Sequence, residues 1–228
     1  MHVELVTIGD ELLRGTTVNS NAAWLGSELA ERGVTVTRTT VIPDDVATIA
    51  EVVNAARERV DAVITTGGLG PTPDDRTMEG IATARGVELT THPDAIAWIE
   101  AETTYALGDL APGTLDLPEG CRMIPNEVGL APGAIIDDIY VLPGVPDEME
   151  GMFGVVADEF RGEPTYEVVV EVVQPEREIA PLLAELEQRA DLLIGSYPGE
   201  TVRVRIIGHD EHAVEDAASW LRERVELA

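Results

Sequence analysis

The stretch Ala62-Val63-Ile64-Thr65-Thr66-Gly67-Gly68-Leu69-Gly70-Pro71-Thr72-Pro73-Asp74-Asp75 decides how this chain is read. Its first four residues are an apolar run rich in β-branched side chains, the mark of a buried strand. Three glycines follow, which let a backbone turn sharply and approach a ligand closely. Asp74 or Asp75 then opens a predicted helix that ends at Gly86. A helix N-terminus behind a glycine loop suits phosphate, because it presents free N–H groups. Two carboxylates at that place repel a phosphate unless a divalent cation such as Mg²⁺ lies between them. Asp is equally suited to capping a helix, so the loop leaves both a ligand site and a structural turn open.

Upstream, Val3–Ile8 reads as a buried strand closed by Gly9-Asp10, and a helix capped by Asn19 or Ser20 runs to Arg32. Val34–Ile42 is β-rich, and Pro43-Asp44-Asp45 opens a helix through Arg59. Three strands alternating with helices predict a parallel α/β sheet. Downstream, His92–Ala106 reads as helix and 107–121 as loop. Arg122–Ile124, Gly133–Ile136 and Ile139–Leu142 read as short strands. Pro146 suits the first turn of a helix that runs to Phe160. Arg161–Pro164 reads as a linker, so domains of 1–162 and 163–228 are expected. The second has the order βαββα: Tyr166–Val173, Glu176–Ala190, Leu192–Ser196, Val202–Ile207 and Ala213–Val225. It is a small α+β domain.

Two further stretches carry polar chemistry at strand ends. Gly9-Asp10-Glu11-Leu12-Leu13-Arg14-Gly15 follows the first strand. Ligands of doubly wound sheets bind at the carboxyl ends of strands, so if strands one and three are neighbours, Asp10 and Glu11 face Asp74 and Asp75. A tight turn with a solvated Glu11 is the plain alternative. Leu142-Pro143-Gly144-Val145-Pro146-Asp147-Glu148-Met149 also joins a strand to a helix, with Glu148 favoured by the helix dipole and Met149, Met152 and Phe153 as core. His209-Asp210-Glu211-His212 reads as a solvated helix start, and Cys121 as a loop residue without a nearby histidine.

Composition bounds the function. Of 228 residues, 44% are hydrophobic and 25% charged, an ordinary globular balance. Asp and Glu number 43 against 15 basic residues, all of them Arg, for a net charge of −28. The absence of Lys excludes a Schiff-base lysine and a P-loop lysine, and the charge argues against nucleic-acid binding. Spread carboxylates repel one another unless salt screens them, so the composition reads as halophilic and cytoplasmic. One cysteine excludes an internal disulfide and a cysteine-cluster zinc site. No apolar run reaches membrane-spanning length and no signal peptide precedes the chain.

Taken together, these motifs resemble the CinA family (competence/damage-inducible protein A) in a form of haloarchaeal type. The residues that carry the likeness are Gly9-x-Glu11-Leu12-Leu13-x-Gly15 with Asn21, the stretch Thr65–Asp75, Pro125-Asn126 with Gly129-x-Ala131-Pro132-Gly133, and Leu142–Met149. Ser196-Tyr197-Pro198 with Val202–Arg205 looks like that family's small KH-like domain. The resemblance implies a three-layer, mostly parallel α/β fold of the molybdopterin-binding (MoaB/MogA-like) type. It also implies a pyrophosphatase dependent on Mg²⁺, Mn²⁺ or Co²⁺, acting on ADP-ribose or a similar nucleoside diphosphate. On that reading Glu11, Asp74 and Asp75 are catalytic, Asp10, Asp74 and Asp75 bind the metal, and Gly67, Gly68, Gly70, Thr72, Asn21 and Gly144 bind substrate. The alternatives are a molybdopterin-binding or adenylylating protein of cofactor biosynthesis and a non-catalytic nucleotide or pterin binder. A homo-oligomer, dimer or trimer, is expected. The chain stops at Ala228, so the family's C-terminal deamidase activity is not carried over.

Overall fold

The computed structural model describes residues 1–188 and 192–228. The chain divides into two compact units, one of Met1–Ala30 with Val34–Gly162, the other of Glu163–Ala228 together with Glu31–Gly33. No helix among the described residues is long and apolar enough to cross a membrane.

In the first unit the chain runs β1 (His2–Ile8), α1 (Asp10–Leu13), α2 (Ser20–Glu31), β2 (Thr35–Ile42), α3 (Val46–Arg57), β3 (Ala62–Thr66), α4 (Thr77–Arg85), β4 (Leu89–Thr91), α5 (Pro93–Glu102), β5 (Asp116–Pro118), β6 (Arg122–Ile124), β7 (Gly133–Ile136), β8 (Ile139–Leu142) and α6 (Pro146–Val156). Six strands form one sheet in the order β2-β1-β3-β8-β7-β6. The first four are parallel, β7 runs antiparallel to β8, and β6 antiparallel to β7.

The core explains the mostly parallel arrangement. Residues 3–8 of β1 and all of β3 are buried, which requires cover on both faces. Alternate side chains serve opposite layers, as the strand period of two dictates. Leu5, Ile64 and Leu142 join Leu25, Leu29 and Phe153 from α2 and α6. Val6, Val63 and Val141 join Ile49, Val53 and Ile81 from α3 and α4. The outcome is helix, sheet, helix: a three-layer α/β domain of the expected class. On the first layer Trp24 meets Phe153 edge to face, with ring centroids 5.6 Å apart.

Several boundaries differ from expectation. The helix after the glycine loop begins at Thr77, and neither Asp74 nor Asp75 caps it. The first helical residue is anchored by the loop itself: Thr77 N–H donates to the Gly68 carbonyl and its hydroxyl to the Gly67 carbonyl. The helix expected over 92–106 is Pro93–Glu102, capped by His92. It ends because Thr103 is extended, with its hydroxyl turned back to the Ile99 carbonyl. Residues 107–121 are not all loop. Leu107–Asp109 makes a 3₁₀ turn, and β5 pairs antiparallel with β4, a partnership with distant residues that no local pattern announces. The helix from Pro146 stops at Val156 and passes into a 3₁₀ turn at Ala157–Glu159.

The second unit comprises β9 (Tyr166–Val172), α7 (Glu176–Glu187), β10 (Leu193–Pro198), β11 (Val202–Gly208) and α8 (Glu211–Arg222). Its antiparallel sheet has the order β10-β11-β9. Val170, Val172, Val204 and Ile206 pack with Ile179, Leu186, Val214 and Leu221. The helix expected to reach Ala190 ends at Glu187, and residues 189–191 lie outside the described residues. Asp210 caps α8 and the His209 ring bonds to the Pro164 carbonyl, which gives that histidine a structural contact.

Candidate functional site

Because β2, β1, β3 and β8 are parallel neighbours, their carboxyl ends lie along one edge of the sheet. Three of these strands end in glycine: Gly9 after β1, Gly67 after β3 and, one residue on, Gly144 after β8. Gly67 has φ +104 and Gly68 φ +63, conformations that favour glycine. A Cβ on Gly67 overlaps the Ile8 carbonyl oxygen, and one on Gly68 overlaps the Thr77 hydroxyl. A Cβ on Gly144 lies 3.3 Å from the Gly67 Cα. These loops therefore press main chain against main chain and form the floor of a cleft of about 730 Å³, the size of an ordinary small-molecule site.

Carboxylates ring that floor. Glu11, Asp44, Asp74, Asp75 and Glu148 all line the cleft. Asp44, which sequence reasoning treated only as part of a helix opening, accepts a hydrogen bond from Asp10 N–H at 2.9 Å. Burial pushes its carboxyl above the ordinary value, the Asp10 N–H opposes this, and the charges of Glu11, Asp10 and Asp74 add to the rise. Asp74 moves the other way, held below the ordinary range chiefly by the Thr72 side chain. The missed signal was positional, since Asp44 follows the end of the second parallel strand as Asp10 follows the first.

The remaining expected residues fall in distinct places. Gly67, Gly68, Gly70 and Gly144 line the cleft. Asn21 does not line it; buried, it donates from Nδ2 to the Gly144 carbonyl at 2.9 Å and so holds the floor in place. Thr72 lies to one side, its N–H donating to Asp75 Oδ2 at 3.0 Å and its hydroxyl to the same oxygen. Asp75 therefore closes its own loop rather than capping the helix. Asp10 sits in a neighbouring depression, paired with Arg14 at 2.7 Å. Glu148 accepts from Asn126 Nδ2 at 2.7 Å. Cys121 is buried and its thiol is pushed up to about 11 by that burial, so it is not poised as a thiolate.

Carboxylates are the hard oxygen donors that Mg²⁺ takes. Among the described residues, however, no group of three or more His, Cys, Asp or Glu side chains is disposed to hold a metal ion. Asp10, Asp74 and Asp75 do not make a resident metal centre on their own.

A glycine-floored, acid-rimmed cleft at the carboxyl edge of a doubly covered parallel sheet defines a ligand-binding α/β protein. The family described as "Probable molybdopterin binding domain" matches residues 4–162. The protein CinA from Thermoplasma acidophilum, a solved structure titled as of unknown function, is 38% identical, with a TM-score of 0.63, and the match covers 70% of this chain and 97% of that one. A CinA-like protein of Frankia casuarinae is 46% identical over 169 residues, 67% of this chain but only 38% of that protein's length. An Archaeoglobus fulgidus protein is 35% identical over 98% of this chain and 97% of its own. The chain belongs to the CinA family, and its residues 4–162 form a molybdopterin-binding-type domain.

Proposed function

We propose that the cleft binds a phosphorylated pterin of the molybdopterin type. One observation carries this reading: the glycine floor of Gly67, Gly68, Gly70 and Gly144 lies within the domain that matches the molybdopterin-binding family. Phosphate settles against glycine main chain because no side chain intervenes. The surrounding carboxylates make that end of the ligand dependent on an accompanying cation or on screening.

The test is a fluorescence titration with 6-hydroxymethylpterin phosphate, with and without Mg²⁺. Saturable binding that Mg²⁺ strengthens is expected. Gly67→Ala places a Cβ against the Ile8 carbonyl at φ +104. It should abolish binding and cost roughly 2 kcal/mol of stability. Gly144→Ala meets only the Gly67 Cα at 3.3 Å, so it should fold while binding at least tenfold more weakly. Absence of saturable binding by the wild type, or full affinity in Gly144→Ala, overturns the reading.

A second reading, hydrolysis of ADP-ribose or a similar nucleoside diphosphate, is favoured by the convergence of Glu11, Asp44, Asp74 and Asp75 on one cleft. Its sign is AMP release in Mg²⁺, Mn²⁺ or Co²⁺ that is lost in both Asp74→Asn and Asp75→Asn. AMP release at the uncatalysed rate leaves the chain a binder.

A further inference from the structure

A second stretch of the cleft lining carries larger apolar side chains than the glycine floor, with the Asp109 carboxylate among them. It comes from residues 103–114, between α5 and β5, and from the loop after β6. Leu110 and Leu130 line the cleft and pack back on a small separate core of Ala95, Ile99 and Leu115, so this wall has its own foundation. Tyr105 also lines the cleft. It is one of only four tyrosines in the chain, and it is 53% exposed. Its backbone is tethered, with Tyr105 N–H donating to Thr103 Oγ1 at 3.3 Å while that hydroxyl donates to the Ile99 carbonyl at 2.8 Å. A large aromatic side chain in the cleft lining, on a tethered main chain and with half its surface open, offers apolar ring surface to a ligand.

We propose that Tyr105 is the specificity residue for the ring end of the ligand. It stacks on a flat nitrogen heterocycle, pterin or adenine, whose phosphate end lies on the glycine floor. This rests on the phosphate-ligand reading above and adds an orientation to it. The lining is uneven: main chain and carboxylates along Gly67–Gly70 and Asp74, and on the second stretch the large side chains of Tyr105, Leu110 and Leu130, with one carboxylate, Asp109, among them. A ligand with an anionic end and an aromatic end fits it one way round. Stacking tolerates different heterocycles, because every such ring has a π face.

The experiment measures affinities of 6-hydroxymethylpterin phosphate, AMP and ribose 5-phosphate for the wild type and for Tyr105→Phe, Tyr105→Leu and Tyr105→Ala. The first two probes carry ring and phosphate; the third carries phosphate alone. Tyr105→Phe should retain wild-type affinity for all three. Tyr105→Leu and Tyr105→Ala should lose about five- to a hundredfold for the ring-bearing probes, the range that base–aromatic stacking covers, and nothing for ribose 5-phosphate. The quenching of pterin fluorescence on binding should disappear in Tyr105→Leu, which keeps an apolar side chain but removes the ring. Equal losses for all three probes would assign Tyr105 a structural role and overturn the proposal. Unchanged affinity of Tyr105→Ala for the ring-bearing probes would overturn it while leaving phosphate binding intact. A wild type that binds none of the three removes the underlying reading and this one with it.

Discussion

Asp44 sits where burial and three neighbouring carboxylates, Glu11, Asp10 and Asp74, all oppose its charge, with only the Asp10 N–H in its favour. Its folded value lies above the ordinary 3.8. Between those two values the native protein holds more protons than the unfolded chain, so stability falls as pH rises through that window, and the penalty is fully present at neutral pH. Asp44→Asn removes the charge and keeps an oxygen to accept the Asp10 N–H. Its urea midpoint at pH 7 should exceed that of the wild type, and the difference should close as pH falls toward 3.8. An equal or lower midpoint at pH 7 would show that the site tolerates the charge. Asp75 carries the complementary lesson. Its position before a helix made it a natural cap in sequence, but its oxygen is taken by Thr72 three residues earlier. A side chain's hydrogen-bond partner depends on a loop conformation that residue type alone does not set.

Among the connecting segments, the one after β6 is held by a single buried side chain. Asn126 is fully buried. Its Nδ2 donates to the Ala131 carbonyl at 3.0 Å and to Glu148 Oε2 at 2.7 Å, and its Oδ1 accepts Gly129 N–H at 2.8 Å. It thereby fastens the Gly129–Ala131 wall of the cleft to the first turn of α6. Asn126→Ala strands three polar groups at once and should cost about 2–3 kcal/mol. Urea unfolding measures that loss, and amide exchange should quicken first over residues 126–131. An unaltered midpoint with unaltered exchange would mean the loop is held by other contacts. The strands that bear the site were legible, since β1, β3 and β8 are short apolar runs ended by glycine or Pro-Gly. The β4–β5 pair was not. Each strand has only three residues, and their pairing joins Leu89–Thr91 to Asp116–Pro118 across a helix.

At the scale of the whole molecule, charge repulsion sets the response to solvent. A net charge of −28 without any Lys leaves surface carboxylates that repel one another across most of the surface. Raising KCl from about 0.1 M to 3 M shrinks the Debye length from about 10 Å to below 3 Å. The thermal midpoint should rise with it, by about 2–4 °C for each kcal/mol of repulsion relieved. The part-buried pair Arg57–Asp138, at 2.5 Å, opposes this only weakly, because such pairs are screened less than exposed charges. A midpoint that is flat or falling over that range would mean ion pairs, not repulsion, govern this chain's response to salt.

The elements follow from short-range chemistry. Residues 3–8 and 62–66 are strands because all of them but Glu4 are apolar or β-branched, and Gly67 and Gly68 turn the chain because positive φ costs them little. The alternation of such runs with amphipathic helices was enough for a layered α/β domain, and the motifs at the strand ends marked residues that line its cleft. The strand order β2-β1-β3-β8 is another matter. It brings Asp44 beside Glu11 and Gly144 onto Gly67, and Tyr105 lines the same cleft. None of these contacts joins near neighbours in the chain. Each is a by-product of burying Val6, Val63 and Val141 in one layer and Leu5, Ile64 and Leu142 in the other, and only that packing, with its long-range partners, brings the residues of the cleft lining together.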